Sequence, residues 1–309
     1  MKRTKNLISV IVPVLNEELT LSEFYKQIVD NLKPHNYEII FVNDGSTDKS
    51  QAIINGFRTR NNKVKVINLT RNFGHQIAIT CGIDHARGDA AIIIDSDLQD
   101  PPSVIPKMIQ KWQEGYDVVY GIRSQRSGEN FVKVTTAKIF YKMINLLSGR
   151  AIPENVGDFR LISRKVINTL KETREYHRFL RGIISWIGYK HCGIHYKRNR
   201  RFAGSTKYSV FSMTKLAIDA LLSFSFFPLR IASILGVITA IGAVIMIFYA
   251  LYVQSIGQTV KGWSSTVVII LFMGSIQLIT IGIIGEYLGR IYEEVKKRPL
   301  YIIGSKDGI

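Results

Sequence analysis

Residues 90–102 read Ala90-Ala91-Ile92-Ile93-Ile94-Asp95-Ser96-Asp97-Leu98-Gln99-Asp100-Pro101-Pro102. A short unbroken apolar run gives way at once to carboxylates, an amide and a proline pair. A strand buried on both faces by crossover helices carries such a run, and ligands of open α/β sheets bind beyond the carboxyl ends of the strands. Similar β-like runs occupy Ile8–Val14, Tyr37–Asn43, Lys63–Leu69 and Asp117–Gly121. Between them, Glu17–Asn31, Asp48–Arg60, Gly74–Ala86 and Pro102–Glu114 have helical length and spacing, with Ser46 and Thr47 placed as N-caps of the second helix. The alternation predicts an α/β fold, a mainly parallel sheet with flanking helices.

The chain has 309 residues, with 41 Lys and Arg against 24 Asp and Glu, a net charge of +17 and 46% apolar residues. That apolar content excludes disorder over most of the length. Two cysteines, Cys81 and Cys192, make neither a disulfide framework nor a zinc site by themselves, which fits a reducing, cytosolic setting. The apolar residues concentrate in Ile231–Val253 and Gly262–Gly285, neither of which contains a charge. A bilayer-spanning helix needs about 20 such residues, and neither stretch is N-terminal, as a signal peptide would be. They predict two transmembrane helices, about 229–253 and 263–287. The connection Gln254–Lys261 holds one Lys, whereas Arg230, Arg290, Lys296, Lys297 and Arg298 flank the other ends. This asymmetry places both termini in the cytoplasm. The expected organisation is a cytoplasmic domain over 1–228, a membrane hairpin over 229–290 and a cytoplasmic tail over 291–309. Apolar stripes beside lysines at 131–147 and 210–227 either lie in the membrane interface or pack on the sheet domain.

Three polar clusters end three of the β runs: Pro13-Val14-Leu15-Asn16-Glu17-Glu18, Asn43-Asp44-Gly45-Ser46 and Asp95–Pro102. The glycine fingerprints of dinucleotide and P-loop sites are absent. Carboxylates and amides in their place suit hydrogen bonds to a base and ribose, although Asn43–Ser46 also reads as a turn with a helix cap. Asp95, Asp97 and Gln99 alternate just past a strand end, so two carboxylates and a neutral oxygen can face one site. That donor set suits a hard divalent cation, Mg²⁺ or Mn²⁺. The stretch from Arg178 to Lys207 contains Arg178, Arg181, Lys190, Lys197, Arg198, Arg200, Arg201 and Lys207 and no acid; Arg123, Arg126 and Lys133 form another basic set. Arginine forks match phosphate oxygens, and the same face is attracted to anionic lipid. So basic a chain often binds nucleic acid, but the charge lies beside apolar stretches and no nucleic-acid motif occurs, so none is expected. The histidines show no metal-ligand spacing.

The ordered motifs Val-Pro-Val-Leu-Asn-Glu-Glu (12–18), Asn-Asp-Gly-Ser-Thr-Asp (43–48), Arg-Asn-Phe-Gly-His-Gln (71–76), Asp-Ser-Asp-Leu-Gln-Asp-Pro-Pro (95–102) and Gly157-Asp158-Phe159-Arg160 resemble glycosyltransferase family 2. Within it the chain is similar to the polyprenyl-phosphate glycosyltransferases related to dolichol-phosphate mannose synthase. Its two-helix anchor resembles the bacterial polyprenyl-phosphate glucosyltransferase type. The resemblance covers essentially the whole chain. It implies a GT-A-type fold and the inverting transfer of one sugar, glucose from UDP-glucose foremost, to undecaprenyl or a similar polyprenyl phosphate, supplying cell-envelope glycosylation.

By motif, the resemblance implies that Pro13, Asn16 and Glu17 border the uracil or ribose and that Asp44 meets the base. Arg71, Gly74, Gln76, Asp95 and Ser96 line the donor side, and Asp95, Asp97 and Gln99 hold the Mg²⁺ or Mn²⁺. Asp158 stands beside the reacting centre as a general base or as an orienting group. Arg123, Arg126, Lys133, Arg178, Arg201, Ser205 and Lys207 serve the diphosphate and the acceptor. The Gln-x-x-Arg-Trp of processive synthases is absent, which argues for a single transfer. UDP-N-acetylglucosamine, UDP-galactose, GDP-mannose and UDP-amino-arabinose remain open as donors. So do other acceptors, and so does a silent nucleotide-binding membrane scaffold. A homo-oligomer, a tetramer as in the resembling family, is expected.

Overall fold

The computed structural model describes residues 6–124, 156–199, 227–257 and 262–309. They belong to two units, Met1–Ala217 with Pro299–Ile309, and Ile218–Arg298. The first unit runs β1 (Leu7–Val14), α1 (Leu21–Leu32), β2 (Asn36–Asn43), α2 (Ser50–Arg60), β3 (Val64–Leu69), α3 (His75–His85) and β4 (Ala90–Ile93). A 3₁₀ turn (Pro102–Val104), α4 (Ile105–Gln113), β5 (Val118–Arg123), β6 (Val156–Ser163), α5 (Arg164–Glu172), α6 (Leu180–Ile187) and β7 (His191–Tyr196) follow. The second unit holds α7 (Phe227–Ser255) and α8 (Trp263–Val295), after which β8 (Ile303–Asp307) belongs again to the first.

The strands form one sheet in the order β7-β5-β6-β4-β1-β2-β3-β8. β1 pairs in parallel with β2 and β4, as do β2 with β3 and β5 with β7. β6 runs antiparallel between β4 and β5, and β8 is antiparallel to β3. Side chains alternate between the two faces of a strand. Val10 and Val12 of β1 join Phe24 and Ile28 of α1 in one buried cluster. Ile11 points the other way, where a Cβ on Gly82 of α3 would come within 2.2 Å of it. Helices on both faces explain why the inner strands are mostly apolar.

The five expected strands and four expected helices of the first 125 residues are present, with one local correction there. Ser46 and Thr47 do not cap α2: it starts at Ser50, whose N–H donates to Asp48 Oδ1 at 2.9 Å. Ser46 Oγ instead accepts from Asn16 N–H at 3.0 Å, and Thr47 N–H donates to Asn16 Oδ1 at 2.8 Å, joining the turns after β1 and β2. Residues 291–309 are not simply a tail, because α8 continues to Val295 and β8 extends the sheet. Asn68 donates to Ser305 Oγ at 2.9 Å, Arg58 pairs with Asp307 at 3.2 Å, and Tyr301 donates to Asp84 of α3 at 2.8 Å. The segments 131–147 and 210–226 lie outside the described residues.

Toward the amino ends of the strands sits a buried ion pair, Lys65 Nζ to Glu38 Oε2 at 2.5 Å, with side chains 9% and 6% exposed. Ser9 Oγ and Arg87 N–H also donate to Glu38. In the second unit, Pro228–Val253 and Val268–Val295 have mean hydropathies of 2.6 and 2.3, long and apolar enough to cross a membrane. Large side chains such as Ile234, Phe248 and Leu278 are exposed along them, and an apolar surface of that extent marks contact with something other than water.

Candidate active site

The carboxyl ends of β1, β2, β4 and β5 share one edge of the sheet with the amino end of β6, because β6 runs the other way. Ile93 of β4 lies opposite Arg160 of β6, so continuing the register two residues sets Asp95 against Asp158. The two acidic motifs, far apart in sequence, thus meet across one strand pair.

Asp158 is the most heavily bonded group of the site. Arg181 of α6 donates to it side-on, Nε to Oδ1 and Nη2 to Oδ2, each at 2.9 Å. Gln76 Nε2 donates to Oδ2 at 3.3 Å, and His75 Nε2 lies 3.4 Å from the same oxygen. Arg160, 1% exposed, lies 3.7 Å from Oδ1 and donates to the carbonyls of Gly157 and Asp158. Burial alone would raise the Asp158 pKa, but the Arg181 guanidinium and His75 outweigh it and hold the carboxyl well below its usual range. His75 bridges the two acids, its Nε2 also 3.4 Å from Asp95 Oδ1. Burial disfavours its charged form, yet the Asp95 and Asp158 carboxylates lift its pKa to about 9.

Asp95 differs. Burial pushes its pKa to about 6 against the pull of His75, with Asp158, Asp100 and Asp97 adding repulsion. Its Oδ1 is a buried oxygen without a hydrogen bond. Such a group fits a cation ligand, and the neighbouring donors are the Asp97 carboxylate and the Gln99 amide. Among the described residues no three His, Cys, Asp or Glu side chains converge on one metal position. Between Asp97 and Gln99, Leu98 has φ 60°. A non-glycine residue there is strained, and strain of this kind collects at ligand sites.

After β2, Asp44 is buried and takes the N–H groups of Phe73 and Gly74 on its two oxygens, at 2.7 and 3.0 Å. It therefore shapes the 71–74 segment. Gly45 (φ 71°) lets the turn abut that segment, for a Cβ there would lie 2.7 Å from the Arg71 carbonyl carbon and the Asn72 nitrogen. Arg71 lies over the Phe73 ring at 4.1 Å, and Gly74 precedes α3, which carries His75 and Gln76. Asn16 turns the chain after β1 at φ 53°, Glu17 N–H donates to Ser50 Oγ at 2.8 Å, and Pro13 and Ser96 are buried beneath.

Of the expected phosphate-binding cations, Arg123 ends β5 at this edge and reaches Asp100 at 3.4 Å. Arg178 does not serve there. It is 7% exposed, and its guanidinium donates to the carbonyls of Leu170 and Thr173, closing the carboxyl end of α5. Arg126, Lys133, Arg201, Ser205 and Lys207 lie outside the described residues.

A family model described as glycosyl transferase family 2 matches residues 9–171. The chain belongs to glycosyltransferase family 2. It is similar along nearly its whole length to YkcC of Bacillus subtilis, an uncharacterised glycosyltransferase, with 46% identity over 305 residues covering 97% of this chain and 94% of that one. A prophage bactoprenol glucosyl transferase homologue of Escherichia coli is 46% identical over 301 residues, covering 96% and 98%. The SfII prophage-derived bactoprenol glucosyl transferase of Shigella flexneri is 46% identical over 303 residues, covering 96% and 97%. This glycosyltransferase is an enzyme with two apolar C-terminal helices, as the motifs and the two charge-free runs implied. Two of its central site residues are absent from the motif-based site. His75 lies inside the 71–76 motif and Arg181 inside the basic run, but nothing in the sequence singles either out; the side-chain contacts from α3 and α6 show that both face Asp158.

Proposed function

We propose that this glycosyltransferase moves one glucosyl unit from UDP-glucose to a polyprenyl phosphate at a membrane surface, with inversion at the sugar carbon. The observation that carries the reading is the saturation of Asp158. Four donors surround a carboxylate held well below its usual pKa, which suits it poorly to taking a proton from a hydroxyl acceptor. A phosphate monoester, with a second pKa of about 6, is already mostly a dianion near neutral pH and needs no base. The names of the similar bactoprenol glucosyl transferases support glucose and a polyprenyl acceptor.

One acceptor phosphate oxygen forms a bond to the sugar C1 as the bond from C1 to the diphosphate breaks, the electron pair leaving with UDP. Attack from the opposite face inverts C1, and no proton is transferred. Asp158 acts by orienting Arg181, His75 and Gln76, whose positive and polar groups line the place where two phosphates approach. A divalent cation held by Asp95, Asp97 and Gln99 would supply Lewis-acid stabilisation of the departing diphosphate. Pro13, Asn16, Glu17, Arg71 and Gly74 border the nucleotide, with Asp44 and Ser96 beneath them.

Met1–Ala217 and Pro299–Ile309, on either side of the two apolar helices in sequence, belong to the same unit. Two crossings bring the chain back to the side it left, and the basic flanks favour the cytoplasmic side. This supports a cell-membrane protein with its catalytic domain and both termini cytoplasmic. Assembly as a homo-oligomer belongs to the same reading.

The test is transfer of label from UDP-glucose to a short-chain polyprenyl phosphate in detergent, with Mg²⁺ or Mn²⁺, beside UDP-N-acetylglucosamine, UDP-galactose, GDP-mannose and UDP-amino-arabinose. Labelled lipid from UDP-glucose alone is expected. Transfer from another donor overturns the sugar, and transfer to a hydroxyl acceptor but not to the phosphate overturns the mechanism.

A further inference from the structure

A second buried carboxylate, Asp100, organises the same edge of the sheet. It is 1% exposed and accepts from the Tyr196 hydroxyl at the end of β7. Arg123 Nη2 lies 3.4 Å from its Oδ2, and Arg198 Nε lies 3.7 Å from its Oδ1. Arg123 Nε also donates to the Tyr196 oxygen at 3.4 Å. The negative partner is hidden, while the two guanidinium side chains are 27% and 29% exposed. Two guanidinium groups thus share one buried carboxylate while each keeps part of its side chain exposed.

The backbone is cut to fit this group. A Cβ on Gly157 would lie 2.3 Å from Arg123 Nη2, and one on Gly121 would lie 2.9 Å from the Tyr196 ring. Glycine at both positions admits the guanidinium and the phenol, and the residue after Gly157 is Asp158. The segment bearing Arg198 is pinned to the cation-binding loop, since Asn199 N–H donates to the Gln99 carbonyl at 2.9 Å. Arg198 is not consumed by these contacts: its Nε is buried without a hydrogen bond. Burial and then the adjacent Arg123 charge push its pKa below the usual arginine value, so an anion shared by the two would relieve both effects.

We propose that Arg123 and Arg198, held side by side by Asp100 and Tyr196, form a clamp for a substrate phosphate group, with Asp100 and Tyr196 as its positioning residues. The proposal rests on the reading above only in requiring a phosphate-bearing substrate. Either the donor diphosphate or the acceptor monoester has the right chemistry.

The test uses the full-length protein in detergent and measures binding, so it stands without turnover. Affinities for UDP with Mn²⁺ and for farnesyl phosphate are compared between wild type, Arg198→Gln and Asp100→Asn. Arg198→Gln is expected to weaken one of them about tenfold or more, the size of one lost charge-assisted hydrogen bond. Loss for UDP assigns the clamp to the donor diphosphate, and loss for farnesyl phosphate assigns it to the acceptor. Asp100→Asn should weaken the same ligand and raise its KM with a smaller change in kcat. If Arg198→Gln is folded and neither affinity moves by more than about twofold, short of one such bond, the clamp is refuted. A wild type that binds both ligands yet transfers no glucose would overturn the function reading and leave the clamp standing.

Discussion

Arg181 and Asp158 meet through two parallel 2.9 Å contacts, the guanidinium edge against the full width of the carboxylate. This geometry fixes the carboxylate plane and keeps it ionised, and it argues for orientation over proton abstraction. The acid limb of kcat/KM should then belong to the acceptor phosphate, with activity falling as pH drops through about 6. Replacing the phosphate ester by a phosphonate of higher second pKa should move that limb upward. A limb that stays in place would refute the assignment. Asp158→Asn should lower kcat about a hundredfold by loosening the donors around it.

The divalent cation is tested by removal. Chelation should abolish transfer and Mn²⁺ or Mg²⁺ restore it. Asp97→Ala should lower activity about a hundredfold or more, the loss expected when a leaving group loses its electrostatic partner. Activity unchanged in EDTA would remove the cation from the site.

Glu38 and Lys65 give a stability prediction far from the chemistry. Glu38→Gln leaves a buried ammonium unpaired and should cost about 3–5 kcal/mol in denaturant unfolding, whereas Glu38→Met combined with Lys65→Met should recover most of it. Burial raises the Glu38 pKa, but Lys65, Ser9 and the Arg87 N–H outweigh it, so the folded value lies below the usual 4.5. Its contribution is therefore complete above that usual value and lost as pH falls through the folded one. A wild type equally stable at pH 7 and pH 3 would contradict this.

Gly45 offers a steric test. Its φ is 71°, and a methyl group added to its Cα would sit 2.7 Å from backbone atoms of Arg71 and Asn72. Gly45→Ala should therefore cost about 1–3 kcal/mol and weaken UDP binding by displacing residues 71–74. Titration of UDP into the variant checks it, and unchanged affinity and stability would show that the turn shifts freely.

The inner strands were readable because apolar runs such as Ala90–Ile94 have no other use. β6 was not, because Val156–Ser163 carries Asp158 and Arg160, and charged residues 6% and 1% exposed look like a surface until their partners are known. β8 is a polar edge strand whose pairing needs no apolar pattern. The metal-type carboxylates were visible from alternation past a strand end. His75 was not, because its partners come from the loop after β4 and from β6, both remote in sequence. Arg178 stood in a basic run that could not show which guanidinium turns inward to close a helix.

The antiparallel pairing of β3 with β8 sets an order of events during synthesis. Val64–Leu69 leaves the ribosome long before Ile303–Asp307, and both apolar helices are made in between. The outer edge of the sheet therefore stays open until both apolar helices have been made. Shortening the chain at residue 298 would strip a strand from the catalytic sheet while leaving both apolar helices intact.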